Sequence, residues 1–165
     1  MKRAPVVSIV GKSDSGKTTL IERLIPLLTN RGYRVGTVKH HVHRGLELDK
    51  KGKDTWRHLK AGADAVLLIA PERLFLQRSA TGNESPHDLE DLLGDVDIVL
   101  TEGGYRWPGI PKIEVVGQYD QISSSPPELV AVVSDRSLTT EMPTYQRDQV
   151  TELADFIEQR FLANT

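Results

Sequence analysis

The chain has 165 residues, 38% hydrophobic and 27% charged, ordinary for a soluble globular protein and long enough for one domain whose core needs no staples. Its 21 lysines and arginines against 23 aspartates and glutamates give a net charge of -2, which excludes a bulk electrostatic footprint for nucleic acid. Cysteine is absent, so disulfides, thiol catalysis and cysteine-based metal sites are excluded as well.

The first residues run directly into Pro5-Val6-Val7-Ser8-Ile9-Val10, an apolar run rich in β-branched residues that reads as a buried strand. That leaves no room for a signal peptide, and no apolar run approaches membrane-span length. A cytoplasmic protein with no membrane partner and no nucleic-acid partner is expected.

Gly11-Lys12-Ser13-Asp14-Ser15-Gly16-Lys17-Thr18 follows and matches the phosphate-binding loop G-x-x-x-x-G-K-[ST] without a mismatch. The amphipathic helix expected from Thr18 completes the order strand, glycine-rich loop, helix. Gly11 and Gly16 allow close backbone approach to phosphate. Amides along Ser13, Asp14, Ser15, Gly16, Lys17, Thr18 and Thr19 can converge on phosphate oxygens as an anion nest at the helix N-terminus. Lys17 is placed to reach the β- and γ-phosphates, and the Thr18 hydroxyl to ligate Mg²⁺. The bland alternative is a glycine-rich turn that binds nothing. Lys12 reads more readily as an exposed loop lysine than as the lysine that, in the dimeric deviant Walker ATPases, crosses to the partner's nucleotide. Asp14, in a loop built for anions, should face solvent or a cation.

Pro26 should kink or shorten the first helix, and Asn30-Arg31-Gly32 should end it. Tyr33 to His40 reads as a second strand, closing a right-handed parallel crossover. Lys39, His40, His41, His43 and Arg44 cluster at its end, and His41 to Gly52 reads as a loop. Lys53 to Ala61 can form a short helix. Ala63 to Ala70 and Arg73 to Arg78 read as an antiparallel pair joined at Pro71-Glu72. Ser85-Pro86 starts a helix. Asp97 to Glu102 is a strong buried strand, Lys112 to Val116 and Glu128 to Ser134 are further strands, and Ser123 to Pro127 is a surface loop. Gln149 to Leu162 is a closing amphipathic helix. This alternation predicts an α/β fold: a three-layer P-loop NTPase-type sheet, mostly parallel with some antiparallel strands, in a single nucleotide-binding domain over residues 1–165.

Glu102 ends a hydrophobic strand before Gly103-Gly104. A P-loop protein needs a carboxylate at such a strand end to hold Mg²⁺, and Asp97 begins the strand at the wrong end. An ordinary turn carboxylate is the alternative.

The ordered blocks resemble one family, the molybdopterin-guanine dinucleotide biosynthesis adapter protein B. They are Gly11 to Glu22, Arg31-Gly32-Tyr33-Arg34-Val35, and Thr37-Val38-Lys39-His40-His41. Further along come Asp49 with Gly52 to His58, Ala61-Gly62-Ala63, Thr101-Glu102-Gly103-Gly104 and Pro111 to Val115. Two departures are Gly104, where an aromatic residue is expected in many relatives, and Lys12. The resemblance implies a homodimer that binds GTP and hydrolyses it poorly; with Mg²⁺ bound, Lys17 and Glu102 are the candidate catalytic residues from the loop and strand end. It implies work beside the guanylyltransferase that joins GMP to molybdenum-loaded molybdopterin, delivering nucleotide or cofactor.

On that reading Lys39 and His40, with His41 beside them, contact phosphate or the phosphorylated pterin. A histidine metal site and a solvated loop are the competing readings. Asp49, Lys53 and Asp54, with Trp56 and Arg57, form a candidate switch segment in which Asp54 can cap the helix. Asp135, just after a strand, is placed as guanine-specific P-loop proteins place the aspartate that accepts from guanine N1 and N2. The lysine usual two positions earlier is Val133. An ATP-dependent small-molecule kinase and a metallochaperone-like GTPase, receiving metal at His40, His41 and His43, are the alternative functions.

Overall fold

The computed structural model describes residues 3–41, 49–80, 82, 84–104 and 106–163. His43 and Arg44 lie outside the described residues. The chain, read from sequence as one domain, divides into two compact units: residues 1–41 with 85–165, and residues 42–84.

The larger unit carries β1 (Val6–Val10), α1 (Lys17–Asn30), β2 (Val35–Lys39) and, in the smaller unit's wake, α3 (Pro86–Leu93), β5 (Ile98–Glu102), β6 (Lys112–Val115), β7 (Leu129–Val133), β8 (Thr144–Tyr145) and α4 (Val150–Ile157). Among the described residues its sheet has six strands in the order β2-β5-β1-β6-β7-β8, every neighbouring pair parallel. The strands β1 and β7 are buried throughout, as parallel strands covered on both faces must be. One face packs Val7, Ile9, Leu100 and Ile113 against Leu24 and Leu28 of α1 and Leu153 and Ile157 of α4. The other packs Val6 and Val99 against Leu93 of α3 and against Trp107 and Ile110 of the β5–β6 connection. A hydrogen bond of 2.8 Å from the Thr101 hydroxyl to Ser8 Oγ satisfies two polar groups buried between β1 and β5.

The smaller unit holds α2 (Asp54–Lys60), β3 (Ala65–Ala70) and β4 (Arg73–Arg78). The antiparallel pair expected from sequence is present, with Leu67 opposite Leu76 and Ile69 opposite Leu74. It forms a sheet of its own, apart from the parallel sheet. A short turn dictates antiparallel pairing but not which sheet the pair joins.

Three local expectations are corrected. α1 is not shortened at Pro26 and runs on to Asn30, because Pro26 lies on the exposed side of the helix, where the carbonyl it leaves unbonded can be hydrated. Asp54 does not cap α2: Lys53 holds the N-cap position and Asp54 is the first helical residue, where its charge suits the helix dipole. The closing helix is α-helical only to Ile157, and Glu158–Leu162 forms a π turn. The five-residue step keeps Leu162 buried on the side of Ile157. Tyr33 and Arg31 hold the turn in place by donating to Glu158 at 2.9 and 2.6 Å.

Candidate functional site

The loop between β1 and α1 has the backbone the glycine pattern requires. At Gly11, with φ 141°, a Cβ would lie 2.3 Å from the Val115 carbonyl oxygen. At Gly16, with φ 93°, it would lie 2.5 Å from the Arg147 guanidinium. Asp14 is the one non-glycine residue with positive φ among the described residues, at 59°, a conformation aspartate tolerates better than most. Gly16 is the N-cap of α1, with no side-chain cap and no acidic residue in the first turn. The helix dipole there is left to favour an anion. Lys17 Nζ folds back onto the Lys12 carbonyl, and Lys12 pairs with Asp120 of its own chain at 2.8 Å.

At the far side of the loop, the ends of β2 and β5 bring three predicted residues together. The Thr18 hydroxyl donates to Glu102 Oε1 at 2.9 Å, and Lys39 Nζ donates to the same oxygen at 2.9 Å. Parallel register sets this up, since Lys39 lies opposite Glu102 and Glu102 opposite Ile9, two residues before the loop. Burial pushes the Glu102 carboxyl up, but hydrogen bonds from Lys39 and Thr18, with the charges of Lys39 and Lys17, outweigh it and hold it below its ordinary range. A threonine hydroxyl and an ionised carboxylate, converging beside the glycine-rich loop, fit Mg²⁺. That ion takes hard oxygen ligands, typically one or two from protein.

His40 does not join this group through its ring. Its backbone N–H donates to the Glu102 carbonyl at 3.0 Å, while the imidazole sits edge-on to Trp107 at 5.2 Å. His41 is exposed. No cluster of metal-holding side chains occurs among the described residues. Asp49, Lys53 and Asp54 belong to the smaller unit, where Asp49 Oδ1 accepts from the Lys50 N–H at 2.7 Å.

Asp135 borders a cavity of about 440 Å³, with Val116, Gln118 and Arg136 also on its wall. The carboxylate is engaged by Arg147, a residue the sequence reading did not single out. Oδ1 accepts the Arg147 backbone N–H at 3.0 Å, and Oδ2 pairs with Arg147 Nε at 3.1 Å. Trp107 was also missed, and it accounts for Gly104. A Cβ at residue 104 would lie 2.1 Å from the indole, so the ring occupies the space a larger residue would need.

The family model for molybdopterin guanine dinucleotide synthesis protein B, MobB, matches residues 6–135. The chain belongs to the MobB family. It is 35% identical over 162 residues to the molybdopterin-guanine dinucleotide biosynthesis adapter protein of Haemophilus influenzae, covering 93% of this chain and 88% of that one. Against the Escherichia coli protein of the same name, identity is 34% over 164 residues, covering 93% and 91%. A crystal structure of molybdopterin-guanine biosynthesis protein B superposes with a TM-score of 0.71 at 34% identity, covering 93% of this chain and 97% of that one. Bacillus subtilis MobB superposes with a TM-score of 0.74 at 25% identity, covering 95% and 98%. The protein is thus a MobB-type adapter of molybdopterin guanine dinucleotide biosynthesis, as the sequence blocks imply. The mostly parallel α/β sheet is that of the MobB structures. No helix among the described residues is long and apolar enough to cross a membrane.

Proposed function

We propose that this MobB-family chain is a Mg²⁺-dependent GTP-binding adapter that works as a homodimer beside a molybdenum cofactor guanylyltransferase, with molybdopterin as the second ligand of the assembly. The convergence of Lys17, Thr18 and Glu102 around the phosphate loop carries this reading. Lys17 supplies a mobile cation whose bond to the Lys12 carbonyl can be exchanged for one to phosphate. Thr18 and Glu102 supply metal ligands, and Mg²⁺ bound there would neutralise phosphate charge.

Hydrolysis is expected to be slow. The Glu102 carboxylate is held by Thr18 and Lys39, an arrangement that suits holding a cation and not taking a proton from water. Asp135 is assigned to guanine because a carboxylate can accept both the N1 and N2 protons, which adenine does not offer. The dimer is supported by the β3–β4 hairpin, where Leu67, Ile69, Leu74 and Leu76 share one face and are 52, 71, 70 and 45% exposed. An isolated hairpin is marginal in water, and an apolar face of this kind calls for cover.

The test is calorimetric titration of GTP and of ATP, each with Mg²⁺, into the wild type and Lys17→Ala. Tight, Lys17-dependent preference for GTP is the expected result. Equal binding or ATP preference would remove Asp135 from base reading and bring the kinase alternative forward.

A further inference from the structure

Arg147 lies outside every motif of the sequence and outside residues 6–135, the span that the family model matches. Its guanidinium donates to the Ser15 carbonyl at 2.6 Å and to the Val116 carbonyl at 3.2 Å. The same side chain and its backbone N–H hold both oxygens of Asp135. Its own carbonyl accepts from Arg23 of α1 at 2.6 Å. One residue is therefore bonded to the phosphate loop, to the end of β6, to the carboxylate after β7 and to the helix that leaves the loop.

The contact with Ser15 bears on phosphate binding through peptide geometry. In a trans peptide the C=O and the following N–H point to opposite sides. Holding the Ser15 carbonyl toward Arg147 turns the Gly16 N–H the other way, which fixes the direction of one donor of the anion nest. The guanidinium suits three acceptors at once because its five donors are set in a rigid planar fork. A lysine ammonium in its place is a point charge and would hold fewer of them.

We propose that Arg147 is a positioning residue that couples the Asp135 carboxylate to the phosphate loop, so that what Asp135 binds alters the loop's grip on phosphate. That Asp135 meets guanine rests on the reading given under the proposed function; the coupling itself does not. A base donating to Asp135 leaves Arg147 in place, since each oxygen can accept two hydrogen bonds, but it draws on the same carboxylate charge and so alters the hold on the guanidinium.

The probe is inorganic tripolyphosphate with Mg²⁺, which carries phosphates and no base. It is titrated calorimetrically into wild type, Asp135→Ala, Arg147→Lys and the double variant, with thermal melts to confirm folding. Asp135→Ala is expected to weaken tripolyphosphate binding by about three- to tenfold, the range of one lost hydrogen bond at a partly exposed site. Arg147→Lys should weaken it at least as much, and the double variant should be no worse than Arg147→Lys alone. Unchanged affinity in Asp135→Ala, or losses that multiply in the double variant, would overturn the coupling. Should Arg147→Lys fail to fold, the Asp135→Ala titration decides alone. A wild type with no preference for GTP over ATP would overturn the guanine reading, while the tripolyphosphate series still decides the coupling.

Discussion

Thr18 and Glu102 stand 84 positions apart in the chain, yet the threonine hydroxyl donates to the glutamate carboxylate at 2.9 Å. The parallel register of β1 and β5 brings them together, and on the proposed reading this hydroxyl and carboxylate are the two protein ligands of Mg²⁺. Glu102→Gln keeps the shape and removes the charge. It is expected to lower affinity for Mg²⁺–nucleotide by about tenfold or more while leaving metal-free nucleotide binding little changed. Titrations with and without Mg²⁺ separate the two, and an equal loss in both would take Glu102 out of the metal site.

Lys39 competes with any metal for Glu102, since its ammonium lies 2.9 Å from the same oxygen. Lys39→Met removes that competitor and, on the proposed reading, also a cation beside the phosphates. Half-saturation by Mg²⁺ should therefore move to lower concentration, while tripolyphosphate without metal should bind more weakly. Were both quantities unchanged, the Lys39 ammonium would have no part in the site.

The sequence made the loop and the strand end that carries Glu102 legible because both are local patterns. Eight consecutive residues specify the loop, and Glu102 is the last residue of a strand whose apolar run is unmistakable. Arg147 was not legible. It sits in Gln146-Arg147-Asp148, an unremarkable polar stretch, and owes its place to the two-residue strand β8 pairing with β7. So short a strand leaves no periodicity to read. The Lys12–Asp120 pair and the close approach of the Trp107 indole to Gly104 are likewise products of loop packing. The hairpin showed the opposite limit, since its pairing followed from the turn but its separation from the main sheet did not.

Gly104 has φ 78°, and a side chain there would meet the Trp107 indole at 2.1 Å. Gly104→Phe, which restores the bulk expected in many relatives, should destabilise the chain by about 2–3 kcal/mol through backbone strain and overpacking. Trp107→Ala alone removes core packing around Val6 and Val99. Combined with Gly104→Phe it should cost less than the sum of the two single changes. Urea unfolding of the four proteins gives the comparison, and strict additivity would separate the two sites.

Ile69 and Leu74 face each other across the hairpin and are 71 and 70% exposed. If a second copy covers them, Ile69→Lys with Leu74→Glu should shift the protein from dimer to monomer by light scattering. The loss of apolar burial is of order 2 kcal/mol per side chain. A monomeric wild type, or a variant that stays dimeric, would place the dimer contact elsewhere or dispense with it.

Asp97 immediately precedes β5 and is gripped by Arg34, whose guanidinium donates to it at 2.9 and 3.1 Å and whose backbone N–H donates at 2.7 Å. The Arg34 side chain, then its backbone N–H, hold the Asp97 carboxyl down at about 2, against an ordinary 3.8. A carboxyl depressed in the folded state binds its proton more readily when unfolded, so stability falls as pH falls. The contribution is complete above about pH 4 and is lost as the pH drops from 3.8 towards 2. Asp97→Asn cannot titrate and should be less stable than wild type at pH 7. The gap between the two should narrow over that acid range, read from urea midpoints at successive pH values. A gap independent of pH would mean that Asp97 holds Arg34 through shape and hydrogen bonding alone.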